Sequence, residues 1–527
     1  MVFTTLEFIA YFAVVFVAYW ALPARGRWWL LLAASWFFYA WASPYYLIFL
    51  GVTTGITYFA AVGMDTNLLK QKAWIEKNGK NVSRDDKKAY KAKMERRRQR
   101  MVVGAAFVTI GMLVVFKYLE FLFTNVNWLM GTVGIHSSLP SVKLLLPIGL
   151  SFYVFQSLGY CIDVQREMVP AERNFFKHAL FVSYFPQILQ GPIGDYGRLA
   201  SQFFLEKKFS YEESVSGIQR VAWGFFKKVM IANIIADRIN PVWSAVGDYP
   251  GLICWSAILV LYAIQLYADF SGYMDIACGC SQMLGIKLDE NFQCPYFAKS
   301  IADFWRRWHI TLGAWFKNYV FYPLLRSETL TNLRKRLKGR AWLSNTASTV
   351  IALFVVWLLI GLWHGADWSY VVYGLFHGAF IILAVILAPL TDRFHDRCSA
   401  LVNSKGYAAF QMVRTFVIVT IGYAIFKPAD LAATGEILRQ MFSAVDGGGI
   451  YQIQYTLHHS FIKVFAWITL MFAVDAVHYT RPNGTIRAWL RRWPLSARWT
   501  IYVAGLWLMV FYGEYGSGFD QFEYFKF

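Results

Sequence analysis

The sequence TASTVIALFVVWLLIG, residues 346–361, contains no charged side chain. A helix needs about 20 mostly apolar residues, at a rise of about 1.5 Å each, to cross the hydrocarbon core of a bilayer. Comparable apolar runs lie at 6–22, 28–41, 45–63, 102–123, 144–164, 368–390, 408–427, 461–479 and 499–513. This repetition predicts a protein built of membrane-crossing helices.

The composition supports a membrane protein over a soluble one. Of the 527 residues, 57% are hydrophobic and only 16% are charged, whereas soluble domains average about 25% charged residues. The apolar residues form unbroken runs and do not alternate with polar ones, which disfavours a porin-type barrel. We therefore predict an all-α, polytopic membrane protein in which residues 1–527 form a single membrane-embedded domain.

The net charge of the chain is +19, and the positive charge is concentrated in three short stretches. Residues 70–100 hold thirteen Lys and Arg against four acids, residues 326–340 hold six against one, and residues 481–497 are basic without any acid. Each stretch adjoins apolar runs, so the positive-inside rule explains it better than nucleic-acid binding does. The rule predicts that these stretches are cytoplasmic and that both termini are extracytoplasmic.

The stretch 70–100 also contains aromatic and apolar side chains among its basic residues, namely Trp74, Tyr90 and Met94. A basic helix with interspersed aromatic residues is typical of helices that lie in the membrane interface. We therefore expect residues 70–100 to form a cytoplasmic, interfacial helical segment.

The centre of the chain, residues 177–325, is irregular and polar. It is interrupted by Pro186, Gly191 and Pro192, and the apolar run 254–285 carries Asp269 and Asp275. Irregular backbone at membrane depth is tolerated where it is buried in protein or lines a watered cavity, and ionisable residues there usually serve function. This pattern predicts the catalytic centre, although a structural pairing of the two carboxylates with a nearby cation is also open.

Two histidines stand in motifs rich in tryptophan, one in Asp303-Phe-Trp-Arg-Arg-Trp-His309 and one in Gly361-Leu-Trp-His364. The topology expected from the charges puts His364 toward the outer half of the membrane and His309 toward the inner half. Imidazole titrates near neutral pH and suits general-base catalysis. Arg306 and Arg307 can alternatively anchor a helix end at the interface by snorkelling. His377, on an apolar helix face, reads as a packed side chain.

The six cysteines include no CxxC pair and no zinc-type spacing, so no metal site is predicted.

Five motifs together resemble the membrane-bound O-acyltransferases, in particular the bacterial alginate O-acetyltransferase type. They are FPQILQGPI (185–193), DFSGYMD (269–275), NFQCPY (291–296), DFWRRWHITL (303–312) and GLWHGADW (361–368). The resemblance implies a ring-like bundle of roughly eleven transmembrane helices with additional re-entrant and interfacial helices. It implies acetyl-CoA as the cytoplasmic donor substrate, with no bound cofactor.

The resemblance also implies roles for individual residues. His364, beside Trp363, corresponds to the catalytic histidine and His309 to a second active-site residue. Supporting candidates are Asp269, Asp303, Arg306 and Arg307, and Tyr524 near the C-terminus is a possible acyl relay.

For partners, the resemblance implies a periplasmic acetyltransferase-type protein, an exported or cell-envelope polysaccharide, or both, acting at a bacterial inner membrane. Two alternatives stay open. One is D-alanyl transfer to teichoic acid, and the other is a transporter, although the inverted repeats that many transporters carry are not visible in the sequence.

Overall fold

The computed structural model of the protein describes residues 1–135, 138–142, 144–249, 251–337, 339–443, 461–481 and 486–515. The described residues are overwhelmingly helical, and their one β-type feature is an isolated antiparallel bridge between Phe292 and Trp308. Seven helices are long and apolar enough to cross a membrane, and Leu6–Ala21 is a shorter apolar helix. The predicted all-α, multi-span class is confirmed.

The helices are numbered here in chain order. They are α1 (Leu6–Ala21), α2 (Ala24–Ala42), α3 (Tyr46–Asn78), α4 (Arg84–Thr132), α5 (Leu150–Gln165), α6 (Phe175–Ser183), α7 (Phe185–Ile188), α8 (Tyr196–Phe204), α9 (Tyr211–Phe225), α10 (Asn233–Ser244), α11 (Leu252–Met283), α12 (Ile301–Arg307), α13 (Ile310–Phe316), α14 (Tyr322–Arg326), α15 (Glu328–Arg336), α16 (Ala341–His364), α17 (Trp368–Ile386), α18 (Ala388–Arg397), α19 (Ser399–Val402), α20 (Lys405–Phe426), α21 (Leu431–Met441), α22 (Phe461–Thr480), α23 (Ile486–Leu490) and α24 (Leu495–Tyr512). Two π-helical turns, Phe226–Ala232 and Lys317–Phe321, interrupt the central part of the chain.

The chain divides into two compact units, each assembled from separate pieces of sequence. The first unit consists of Met1–Ile218 and Ala277–Asp289, and the second of Gln219–Ile276 and Glu290–Phe527. The expectation of one membrane-embedded domain from residue 1 to 527 stays a prediction.

In the first unit, the basic stretch 70–100 forms a helical hairpin, and its position at the membrane interface stays a prediction. Its residues are the facing ends of α3 and α4, joined by a short turn after Asn78. The ring of Trp74 stacks on that of Tyr90 at 3.9 Å, and Arg98, buried, donates to the side-chain oxygen of Gln71 at 2.8 Å. These two contacts join one helix to the other.

The apolar run 144–164 is also shorter as a helix than its hydrophobicity suggests, because α5 begins at Leu150. Gly149, just before it, has φ +75°, and a Cβ there would lie 2.2 Å from the carbonyl oxygen of Ile188. Pro147 and this left-handed glycine turn the chain so that its backbone passes close to the end of α7, at Ile188. Close backbone packing therefore sets the start of the helix, and hydrophobicity does not.

In the second unit, small residues bring helices into direct backbone contact. A Cβ on Gly224 of α9 would lie 2.5 Å from the carbonyl oxygen of Gly272 of α11. On the α16–α17 hairpin, a Cβ on Gly361 would lie 2.6 Å from the Tyr370 carbonyl oxygen, and one on Gly374 would lie 2.5 Å from that of Trp357. Close approach through glycine is typical of helix pairs in membranes. This hairpin positions the candidate site.

Candidate active site

His364 is the last residue of α16, at the turn that leads into α17. The turn is closed by Asp367, whose carboxylate accepts a hydrogen bond from the backbone N–H of Ser369 at 2.7 Å and caps α17. His364 is only 3% exposed. The tight hairpin and the cap together fix the position of its imidazole.

Three aromatic rings pack edge-to-face around the imidazole of His364. The ring centroids of Trp363, Phe426 and Tyr373 lie 5.1, 5.5 and 5.8 Å from it. Edge-to-face contacts at these distances are favourable and directional. The candidate base is therefore held in an enclosed, largely apolar site, where electrostatic interactions are stronger than in water.

His309 lies between α12 and α13 in a left-handed backbone conformation, with φ +48°. Asn291 holds this turn: its carbonyl oxygen accepts from the N–H of Ile310 at 3.1 Å, and its side-chain oxygen lies 3.3 Å from Nδ1 of His309. A non-glycine residue in this region is uncommon and costs energy, and such strain concentrates at functional sites. His309 is 1% exposed, so it is buried like His364.

Trp363 connects the two histidines. Its ring lies 5.1 Å from that of His364 and 5.7 Å from that of His309, in edge-to-face geometry on both sides. Both histidines predicted from the sequence, and the tryptophan beside one of them, therefore belong to one buried cluster in the second unit. Their catalytic roles stay predictions.

Asp303, Arg306 and Arg307 form a separate group on α12. Asp303 accepts a hydrogen bond from Nε of Arg307 at 3.1 Å, and an Arg306 nitrogen lies 3.9 Å from the same carboxylate. The Arg306 side chain is 74% exposed and that of Arg307 is 27% exposed. Arg307 also lies over the ring of Tyr479 at 5.5 Å. Their other described contacts are with the segment before α12: the N–H of Lys299 donates to Asp303 at 3.1 Å, and Arg307 donates to the carbonyl oxygen of Gln293 at 3.4 Å.

Asp269 and Asp275, the two carboxylates of α11, are both engaged with cations of the π-helical turn and of α9. Nζ of Lys228 lies 2.6 Å from Asp269, and both side chains are at most 4% exposed. Asp275 is bound by Lys227 at 2.6 Å and by Arg220 at 2.9 Å. The geometry matches the structural pairing that the sequence left open, and a catalytic role for Asp269 stays a prediction.

The sequence interpretation overlooked Asp475, a carboxylate in the middle of α22. It accepts a hydrogen bond from the hydroxyl of Tyr267 at 2.7 Å and is 9% exposed. The signal was an acid within the apolar run 461–479, the same signal that drew attention to Asp269. Lys228 was overlooked as a partner because it is one of two adjacent lysines in an amphipathic stretch.

Tyr524 lies outside the described residues. Among the residues that the structure does describe, no three histidine, cysteine or acidic side chains come together as a possible metal site.

Comparison of the sequence with known proteins identifies its family. The model of the membrane-bound O-acyltransferase family matches residues 165–423, a range that contains both histidines and Trp363. The chain belongs to the membrane-bound O-acyltransferase family. The resemblance read from the five motifs is thereby confirmed.

Several curated relatives carry descriptive names. A probable alginate O-acetylase of Pseudomonas syringae pv. tomato is 35% identical over 66% of this chain and 61% of its own length. One from Pseudomonas putida is 33% identical over 71% of each chain. A peptidoglycan O-acetyltransferase of Helicobacter pylori is 30% identical over 63% of this chain and 62% of its own length. The chain thus matches less than two thirds of the length of two of these three proteins.

Proposed function

We propose that the chain is a membrane O-acetyltransferase that modifies an exported or cell-envelope polysaccharide, with acetyl-CoA as the cytoplasmic donor. The observation that carries the proposal is the buried cluster in which Trp363 joins His364 and His309. It is supported by family membership and by relatives named as alginate and peptidoglycan O-acetylating enzymes.

In this proposal, His364 is the general base. Its imidazole takes the proton from an acceptor hydroxyl, and the hydroxyl oxygen attacks the thioester carbonyl carbon. His309, on the other side of Trp363, is the second active-site residue and contributes to binding and orienting the thioester. Passing only the acetyl group across avoids moving the charged phosphates of CoA through hydrocarbon, which is costly.

The acceptor in this proposal is a polysaccharide hydroxyl, reached directly or through a periplasmic acetyltransferase-type partner protein. Alginate-like polymers, cellulose and peptidoglycan are the candidate polymers, and the membrane is the bacterial inner membrane. Tyr524 as a covalent acyl relay remains part of this proposal. Replacing it with phenylalanine keeps the ring and removes the nucleophile.

The function is tested with the purified protein in lipid vesicles, given acetyl-CoA labelled in the acetyl group and an acceptor polysaccharide on the opposite side. We expect labelled polymer and an equal amount of free CoA. D-alanyl donor given in parallel should yield no product. Movement of a solute without thioester consumption would instead identify a transporter, and exclusive use of the D-alanyl donor would identify the teichoic acid activity.

The proposed orientation makes a separate prediction about accessibility. A cysteine introduced at Lys88, in the basic stretch, should resist an impermeant thiol reagent applied to intact cells, because short basic loops stay in the cytoplasm. A cysteine at Ala429, in the loop after α20, should react, because the alternation of spans puts that loop outside. Both positions are exposed. Labelling is followed in a background without the native cysteines, and reaction at position 88 with protection at 429 would invert the topology.

A further inference from the structure

Acyl transfer, the reaction of the proposed function on which this inference rests, needs a second group besides the base. When the hydroxyl oxygen attacks the thioester, negative charge develops on the carbonyl oxygen. Enzymes stabilise that oxyanion with hydrogen-bond donors placed beforehand, and losing one donor typically lowers the rate about 10²–10³-fold. The donor has to lie beside the base, because both act on the same tetrahedral intermediate.

Tyr373, whose ring packs edge-to-face against the imidazole of His364, carries a hydroxyl. Its ring centroid lies 5.8 Å from the imidazole, and the residue is 3% exposed. Tyr373 stands on α17, directly before Gly374, whose contact with the backbone of Trp357 sets the spacing of the α16–α17 hairpin. The hairpin therefore fixes the tyrosine and the histidine relative to each other.

Tyr373 also contacts a second histidine, His377. His377 lies 4.7 Å from the tyrosine ring and is fully buried, and Trp305 lies 5.3 Å from His377. Both ring nitrogens of His377 and Nε1 of Trp305 lack a hydrogen-bond partner among the described residues.

Leaving a buried polar group unsatisfied costs about 1–3 kcal/mol, and such groups are rare in native proteins and call for an explanation. A simple packing role would be filled at lower cost by phenylalanine or leucine. Nε2 of His377 faces Gly422 of α20, where a Cβ would lie only 2.7 Å from it. The histidine is thus wedged between α20 and Tyr373, where it limits how far the tyrosine can move.

We propose that the hydroxyl of Tyr373 donates a hydrogen bond to the oxyanion of the acyl-transfer intermediate, and that His377 is a positioning residue for it. The acceptor O–H bond breaks as its proton passes to His364, the new C–O bond forms, and the carbonyl electron pair moves to the oxygen that Tyr373 stabilises. The intermediate collapses with cleavage of the C–S bond, and the proton on His364 passes to the thiolate. Tyr373 keeps its own proton throughout.

The test compares Tyr373→Phe, which keeps the ring and removes only the hydroxyl, with the wild-type protein in the vesicle assay with labelled acetyl-CoA. We expect kcat to fall about 10²–10³-fold with KM for acetyl-CoA little changed, because the lost hydrogen bond forms only in the transition state. Tyr262→Phe is the matched control. Tyr262 is also fully buried in the second unit, and its ring contacts Trp243 and Tyr423, so its kcat should stay near that of the wild type.

If Tyr373→Phe does not fold, a second measurement distinguishes a hydroxyl that donates a hydrogen bond from a ring that only packs. Site-specific replacement of Tyr373 by a difluorotyrosine keeps the shape and makes the phenol more acidic. A donor that must be protonated then loses its proton at lower pH, so the alkaline limb of the kcat profile should move to lower pH. A ring that only packs would leave this limb in place.

The outcomes distinguish this inference from the proposed function. Either of two results overturns the role of Tyr373: a normal kcat in Tyr373→Phe, or an alkaline limb that does not move with difluorotyrosine. If His364→Ala is inactive in the same assay, the acyltransferase assignment stays intact. Full activity in His364→Ala would show that another residue serves as the base, whereas wild-type protein that forms no labelled polymer and no free CoA would overturn the proposed function itself.

Discussion

Replacing His364 with alanine is expected to abolish acetyl transfer while the protein remains folded and membrane-inserted. The imidazole is the proposed general base, and the loss of a positioned base typically costs about 10²–10⁴-fold in rate. The side chain stands at the end of α16, where it makes ring contacts with Trp363, Tyr373 and Phe426. The rate of labelled acetyl incorporation, divided by the amount of monodisperse protein in detergent, measures the effect.

His178 offers a matched control for this variant. It is fully buried in the first unit and its Nε2 lies 3.0 Å from the hydroxyl of Thr57. Glutamine can keep a hydrogen bond to that hydroxyl, so His178→Gln should transfer acetyl groups normally per folded molecule. Wild-type activity in His364→Ala at equal expression would show that another residue serves as the base.

The second large effect is expected on stability, from Lys228→Met. The substitution removes the cation that lies 2.6 Å from Asp269 and leaves a carboxylate that is almost completely buried. Removing one partner of a buried ion pair typically costs about 3–5 kcal/mol, because the remaining charge is uncompensated. We expect a sharply lower yield of folded protein and a lower midpoint of thermal unfolding in detergent.

The double variant Lys228→Met, Asp269→Leu is the control for this stability effect. Replacing both partners of a buried pair by apolar residues is often neutral or stabilising, so the double variant should recover the folded yield. The acetyl-transfer activity of the double variant then tests the predicted catalytic role of Asp269. Recovered folding with normal acetyl transfer assigns the pair to the structure alone, whereas recovered folding without transfer assigns a role in the reaction to the pair. A single variant as stable as wild type would contradict the predicted cost of removing the cation beside Asp269.

The exposed basic stretch shows where reading the sequence reached its limit. Its charge density is visible without any structure, but the contact between Trp74 and Tyr90 is not. In the structure the two rings stack on each other across the α3–α4 hairpin. Composition alone does not distinguish an aromatic side chain that meets lipid headgroups from one that meets another helix, because both environments favour the same residue types.

The sequence by itself determined the all-helical, multi-span class and pointed to His309, His364 and Trp363. Transfer of a segment into a bilayer depends mainly on the hydrophobicity of that segment, so helices can be found from local sequence, and short motifs can be compared without a structure.

Only the tertiary structure decided which side chains meet. Lys228 pairs with Asp269 across 41 residues of sequence, and Tyr267 meets Asp475 across 208. Tyr373 reaches His364 only because glycines let α16 and α17 touch. These contacts depend on how separate helices pack against one another, and packing is a property of the assembled protein that no single segment carries.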